Sequence, residues 1–193
     1  MRYFIFTLCF CSLLMSCQHS PKKNYFYLSP LTNTENTISV KTNISQVIGI
    51  GPIEIADYLT RSQIIDNQTD NTLNMADNAY WAEPLDKSVA RVTALNLTQL
   101  NPSRSFVNFP WRADTKPHFS LRLRIDNLAR AEGKATINAT WDLINNDTKA
   151  NLVRRNFIRT LPAGSGAKAL AQAYSQLLAD LAKEMDIELN NAK

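Results

Sequence analysis

Phe119-Ser120-Leu121-Arg122-Leu123-Arg124-Ile125-Asp126 and Ala135-Thr136-Ile137-Asn138-Ala139-Thr140-Trp141-Asp142-Leu143 decide how this chain folds. Both runs alternate apolar and polar residues, the period of a strand whose side chains point to opposite faces of a sheet. Phe119, Leu121, Leu123 and Ile125 share one side, and so do Ala135, Ile137, Ala139, Trp141 and Leu143. Arg122, Arg124, Asp126, Thr136, Asn138, Thr140 and Asp142 fall on the other. Residues 127–134, with Gly133 among them, read as the turn between the two. The pair is therefore a half-buried antiparallel hairpin with one wet face.

Working toward the C-terminus, Asn145-Asn146-Asp147 makes a turn and residues 152–161 a further strand. Pro162, Gly164 and Gly166 break the chain before a helix begins. Its stripe of Ala167, Leu170, Ala171, Tyr174, Leu177, Leu178, Leu181, Ala182 and Met185 is wide enough to cover a sheet. Toward the N-terminus, residues 104–109 read as a strand. Before them lies a helix opened by Pro84 and stopped at Asn101-Pro102, with Leu85, Val89, Val92, Leu95 or Asn96, and Leu100 near one face. Residues 46–59 are rich in Ile and Val and contain Gly49, Gly51 and Pro52, which predicts a buried strand bent around Pro52. Residues 61–66 and 72–81 pair as strands across a turn at 67–71. Tyr25-Phe26-Tyr27-Leu28 is a short strand closed by Ser29-Pro30, and the Thr/Asn-rich stretch 29–43 is loop. Strands, helix, a meander of strands and a second helix predict an α/β fold. The expected form is a two-layer sandwich with a mixed, mainly antiparallel sheet covered by two main helices.

The front of the chain is of another kind. Arg2 precedes an apolar run from Phe4 to Met15, about a dozen residues, the length of a secretory signal core. Crossing a bilayer takes about 20 apolar residues. Leu14-Met15-Ser16-Cys17 has the pattern of a bacterial lipobox: an aliphatic residue, a tolerant position, a small residue and Cys. The small Ser16 gives a peptidase access to the bond before Cys17. The Cys17 thiol then takes diacylglycerol and the freed amine a third, palmitate-type chain, and two or more chains suffice for stable anchoring. The expected organisation is a signal peptide over 1–16, a lipidated tether over 17–23 and a single periplasmic domain over 24–193. A plain secretory signal with an incidental Cys17 is the alternative.

Cys9 and Cys11 leave with the signal, so no disulfide or Cys-based metal site is expected, and an apolar core must hold the domain. About 177 residues remain of the 193, enough for one such core. A net charge of +4 without a dense basic run gives no support for nucleic-acid binding. Enzymatic motifs are missing too. His19 lies in the tether and His118 beside a Pro; there is no HExxH and no GxSxG. Gly49-Ile50-Gly51-Pro52 lacks the third Gly and following helix of a phosphate loop. The covalent lipid on Cys17 is the one expected prosthetic group. Two aromatic spots, Tyr80-Trp81 and Trp111-Arg112, read either as core packing or as a partner-binding surface, because Trp and Arg are enriched at binding hot spots.

At these same segments the chain resembles a known family. Ile48-Gly49-Ile50-Gly51-Pro52, with Tyr58-Leu59-Thr60-Arg61 and Ile64 behind it, is similar to one signature. Trp81-Ala82-Glu83-Pro84-Leu85 is similar to a second, and Pro110-Trp111 to a third. With the lipobox and Tyr25-Phe26-Tyr27-Leu28, these resemble the paraquat-inducible protein C (PqiC) lipoproteins, also called ABC-type transport auxiliary lipoproteins. Where that family often has a basic or Gly-rich hairpin, this chain has Asn67-Gln68-Thr69-Asp70-Asn71. The resemblance implies a non-enzymatic protein anchored to the outer membrane and facing the periplasm. It implies work beside an MCE-domain protein in intermembrane lipid transport that guards envelope integrity. Gln18 after the lipidated Cys fits outer-membrane sorting. A homo-oligomeric ring is a further expectation. The competing expectation is a carrier that holds a lipid or small hydrophobe in a cavity of its own.

Overall fold

A computed structural model describes residues 21–30, 46–69, 71–112 and 114–192 of the chain. The signal peptide, Cys17 and most of the loop expected over 29–43 lie outside the described residues. The strands are β1 (Asn24–Phe26), β2 (Gln46–Ile55), β3 (Gln63–Thr69), β4 (Thr72–Trp81), β5 (Arg104–Asn108), β6 (Phe119–Ala131), β7 (Lys134–Asn145) and β8 (Asn151–Pro162). The helices are α1 (Leu85–Leu100) and α2 (Ala167–Asn191), and a 3-10 turn spans Asp57–Thr60.

The deciding hairpin forms the spine. A five-stranded sheet runs β5-β2-β6-β7-β8; β2 is parallel to both β5 and β6, and the remaining pairs are antiparallel. The strands do not join into one sheet, because β1, β4 and β3 make a separate three-stranded one. Both helices lie on one face of the larger sheet, α1 over β2 and β5 and α2 over β7 and β8, and they pack on each other. Burial follows the alternation: Leu121, Leu123, Ile125, Ile137, Trp141 and Leu143 are buried under the helices, whose Val89, Leu97, Leu170, Leu177 and Leu181 meet them in one core. The α/β sandwich expected from the sequence is the fold observed.

The turn expected over 67–71 is shorter, because β3 runs on to Thr69 and pairs there with Thr72 of β4, and another boundary differs from its expectation in an instructive way. Residues 127–134 are not a long turn. The strands run on to Ala131 and Lys134, leaving Glu132-Gly133 as a two-residue turn with φ of 50° and 70°. The alternation is lost because the β6–β7 register shifts between Ile125 and Asn127. A bulge of this kind moves every later side chain to the opposite face. Leu128 and Arg130 turn inward as a result, where simple alternation would have sent them to solvent. The strand expected over 46–59 likewise stops at Ile55, and the 3-10 turn takes its end.

Candidate functional site

The helices screen one face of the five-stranded sheet; the other face carries the candidate site. On β2, Ile48 and Ile50 point into the core, which leaves Gly49 and Gly51 on the far side. The segment between β5 and β6 folds back across them. The Trp111 indole lies against Gly49 so closely that a Cβ there would stand 2.5 Å from its Cζ2 and 2.9 Å from Pro117 Cγ. Gly51 has φ of +113°, and an added Cβ would meet Phe109 Cβ at 2.8 Å. Gly51-Pro52 and Phe109-Pro110 are both cis. The Phe109 N–H donates to Ile50 O at 2.8 Å, and Trp111 Nε1–H donates to Val107 O at 3.2 Å. The Phe109 and Trp111 rings meet edge to face, 5.2 Å between centroids. Asn146 fixes the far end: its Nδ2–H donates to Pro117 O at 3.0 Å, and its Oδ1 accepts from buried Ser120 Oγ at 3.1 Å. The glycine signature and the Pro-Trp element are therefore two halves of one clasp. Gly49→Ala should cost about 1–3 kcal/mol through overpacking, read as a lower urea midpoint; an unchanged midpoint would show that the indole moves aside freely.

Past the clasp the sheet face is open. Pro52, Glu54, Arg122, Arg124, Asp142 and Arg154 line a trough of about 480 Å³. Arg154 grips Asp142 through Nε at 2.6 Å and Nη2 at 3.2 Å, and Asn151 adds a third bond at 2.9 Å. The Arg154 guanidinium, with Asn151 behind it, holds the Asp142 carboxyl below the ordinary aspartate pKa. Arg124 pairs with Asp126 at 3.1 Å. Arg122 makes no hydrogen bond among the described residues. Among those residues no group of His, Cys, Asp and Glu could hold a metal ion. His118 is exposed and meets Asp147 at 2.9 Å.

The aromatic candidates separate. Trp111 is half-buried in the clasp, and Arg112 beside it is exposed and pairs with Asp114 at 3.3 Å. Trp81 points into the core, 8% exposed, its ring 6.4 Å from that of Tyr174. Tyr80, its neighbour on β4, lies half-buried on the other side, with the Tyr25 ring at 5.9 Å and Lys23 Nζ 5.3 Å from its centroid. The segment around Trp81 is tied into the fold. Leu85 is buried with Trp81, and Glu83 accepts from Arg91 Nε at 3.1 Å. Arg91 in turn donates through Nη2 to Leu28 O at 3.0 Å, which ties the chain after β1 to α1. The Arg91 guanidinium holds Glu83 below the ordinary carboxylate range. Sequence reasoning did not single out Arg122, Asp142 and Arg154. Their signal was the polar half of the alternation, which ordinary solvated strands share.

The chain belongs to the family of ABC-type transport auxiliary lipoprotein components, matching it over residues 26–186, a span that includes α1, the whole clasp and most of α2. Within that class it is similar to the intermembrane transport lipoprotein PqiC of Escherichia coli (strain K12), 25% identical over 173 residues that cover 84% of this chain and 86% of that protein. The fold is shared with a solved uncharacterized protein at a TM-score of 0.70 and 19% identity, over 88% of this chain and 99% of the other. A solved protein from Xanthomonas campestris matches at 0.65 and 15% identity, over 84% and 92%.

Proposed function

We propose that this lipoprotein is a non-enzymatic adaptor of an intermembrane lipid transport system. Acylated Cys17 holds it on the periplasmic side of the outer membrane, and its open sheet face docks an MCE-domain protein. The observation that carries this reading is the contrast between that face and the interior. The face is polar, concave and uncovered by any described element. The hollow beside Trp81 and Tyr174 in the core has only about 10 Å³, room for roughly one water molecule. A carrier would need an enclosed apolar cavity of several hundred Å³; this hollow is far smaller, which favours docking over carriage. Family membership and the name of the E. coli relative support the transport context. The absence of any membrane-crossing helix among the described residues fits a lipid anchor. A ring of copies would present the rotational symmetry that the end of a conducting tube requires, and loss of such a tube's docking would weaken the envelope.

Crosslinking intact envelopes and purifying the tagged protein should recover an MCE-domain protein. Arg122→Glu reverses the one trough arginine without an ion pair to a described residue and leaves the core untouched, so it should lower that recovery several-fold. Recovery of no such partner from native envelopes would sink the docking reading.

A further inference from the structure

We propose that the face around Tyr25, Tyr27 and Lys168 is a second membrane contact, which rests this end of the domain on anionic phospholipid. The inference rests on the reading of Cys17 as the lipidated residue. Strand alternation after the tether places Phe26 and Leu28 inward and Tyr25 and Tyr27 outward, at 62% and 64% exposure. Beside them, between the free edge of β1 and the first turns of α2, lies a groove of about 340 Å³. Its lining includes Tyr25, Phe26, Tyr27, Lys168 and Gln172, and no carboxylate. Lys22, Lys23 and Lys168 are exposed, and none forms an ion pair with a described residue.

Tyrosine carries an apolar ring and a polar tip, and lysine an apolar stem and a charged head. Both therefore suit the headgroup layer of a bilayer. Position supplies the rest of the argument. Seven residues, hence eight steps along the chain, separate Cys17 from Tyr25, a reach of at most about 3.3–3.6 Å per step. Tyr25 and Tyr27 are thus the exposed apolar groups met first along the chain from the anchor; Phe109, Leu152, Ile158 and Ile187 belong to later elements. A tether this short makes the second contact intramolecular, so a contact too weak to bind freely is still populated. Lysines close to an anionic leaflet are attracted to it within a Debye length. Together the two contacts set the attitude of the domain on the membrane, which a flexible tether alone leaves free.

The full chain tests this directly. With Cys17 acylated and Cys9 and Cys11 removed with the signal, Gln172→Cys supplies a single free thiol for an NBD dye. In vesicles of phosphatidylethanolamine, phosphatidylglycerol and cardiolipin, the dye should shift to the blue and be quenched by nitroxide-labelled lipid. In phosphatidylcholine alone both effects should fall several-fold. A dye at Ile158→Cys, on the sheet face turned away from α2, should stay in water. Adding Tyr25→Ser with Tyr27→Ser should abolish the shielding at residue 172 while flotation with vesicles persists. A vesicle-bound protein whose dye at residue 172 remains in water overturns the proposal. So does shielding that rises with protein density and ignores lipid charge, since a second copy would then be the cover. If mass spectrometry finds Cys17 bare and flotation fails, the tether reading falls separately. With Cys17→Ser restoring a single thiol, the dye at residue 172 in saturating vesicles then decides for this face, and continued exposure overturns it.

Discussion

Trp141→Ala should destabilise the domain by about 3–5 kcal/mol, the range for removing a large aromatic side chain from a packed core. Trp141 sits on β7 at the centre of the deciding hairpin, is fully buried, and lies opposite Leu123 on β6 and Arg155 on β8. Its Nε1–H donates to Glu184 Oε1 of α2 at 3.1 Å, so one side chain both fills the sheet–helix interface and ties the layers. Typical domains hold only about 5–15 kcal/mol in total, so the loss should consume much of the margin. Urea unfolding followed by circular dichroism is the measurement, with Trp141→Phe as the companion. Phenylalanine keeps most of the buried area and loses the hydrogen bond, and should cost about 1 kcal/mol from that bond plus a smaller packing loss. A Trp141→Ala midpoint close to that of the native protein would mean that α2 and the sheet do not share this core.

The hairpin that places Trp141 was legible because its strands are half-buried and alternate without interruption. Both helices were legible for a related reason: Pro84, Asn101-Pro102 and Gly166 punctuate stripes of suitable period. The bulge at Asp126–Asn127 was not legible. A register shift obeys backbone geometry and leaves only a lapse in the pattern, and the lapse reads as a turn. The second sheet was hidden as well, since β1 pairs with β4 across more than fifty residues and three residues of strand carry little pattern. For the candidate site, the sequence exposed its parts without their assembly. Gly49, Gly51, Pro52, Pro110 and Trp111 were all conspicuous, yet only the fold brings the indole onto the glycine. The Tyr80-Trp81 pair shows the limit of composition from the other direction: adjacent aromatic residues on a strand face opposite ways, and no count of aromatics assigns which one is buried.

The inward turn at the bulge gives Arg130 its role, and Arg130→Met should destabilise the protein by about 3 kcal/mol. Arg130 is buried on β6. Its Nε donates to Asp66 O at 2.9 Å, its Nη1 to Gly164 O at 2.6 Å, and its Nη2 pairs with the Asp66 carboxylate. Three separate pieces meet at this guanidinium: β3 of the small sheet, β6 of the large one, and the turn that leads into α2. Breaking a buried pair by removing one partner costs about 3–5 kcal/mol. The lower end applies because the Asp66 side chain is 35% exposed and can recover water. Methionine preserves the packing of the stem, so the loss isolates the head group. Arg130→Met combined with Asp66→Asn should cost less than the sum of the two single changes, which the double-mutant cycle reads as coupling. Hydrogen exchange supplies the second readout: amides of β3 should open before those of β7. A Met variant within about 0.5 kcal/mol of the native protein, the range of an ordinary surface change, would show that the two sheets are held together by apolar contact alone.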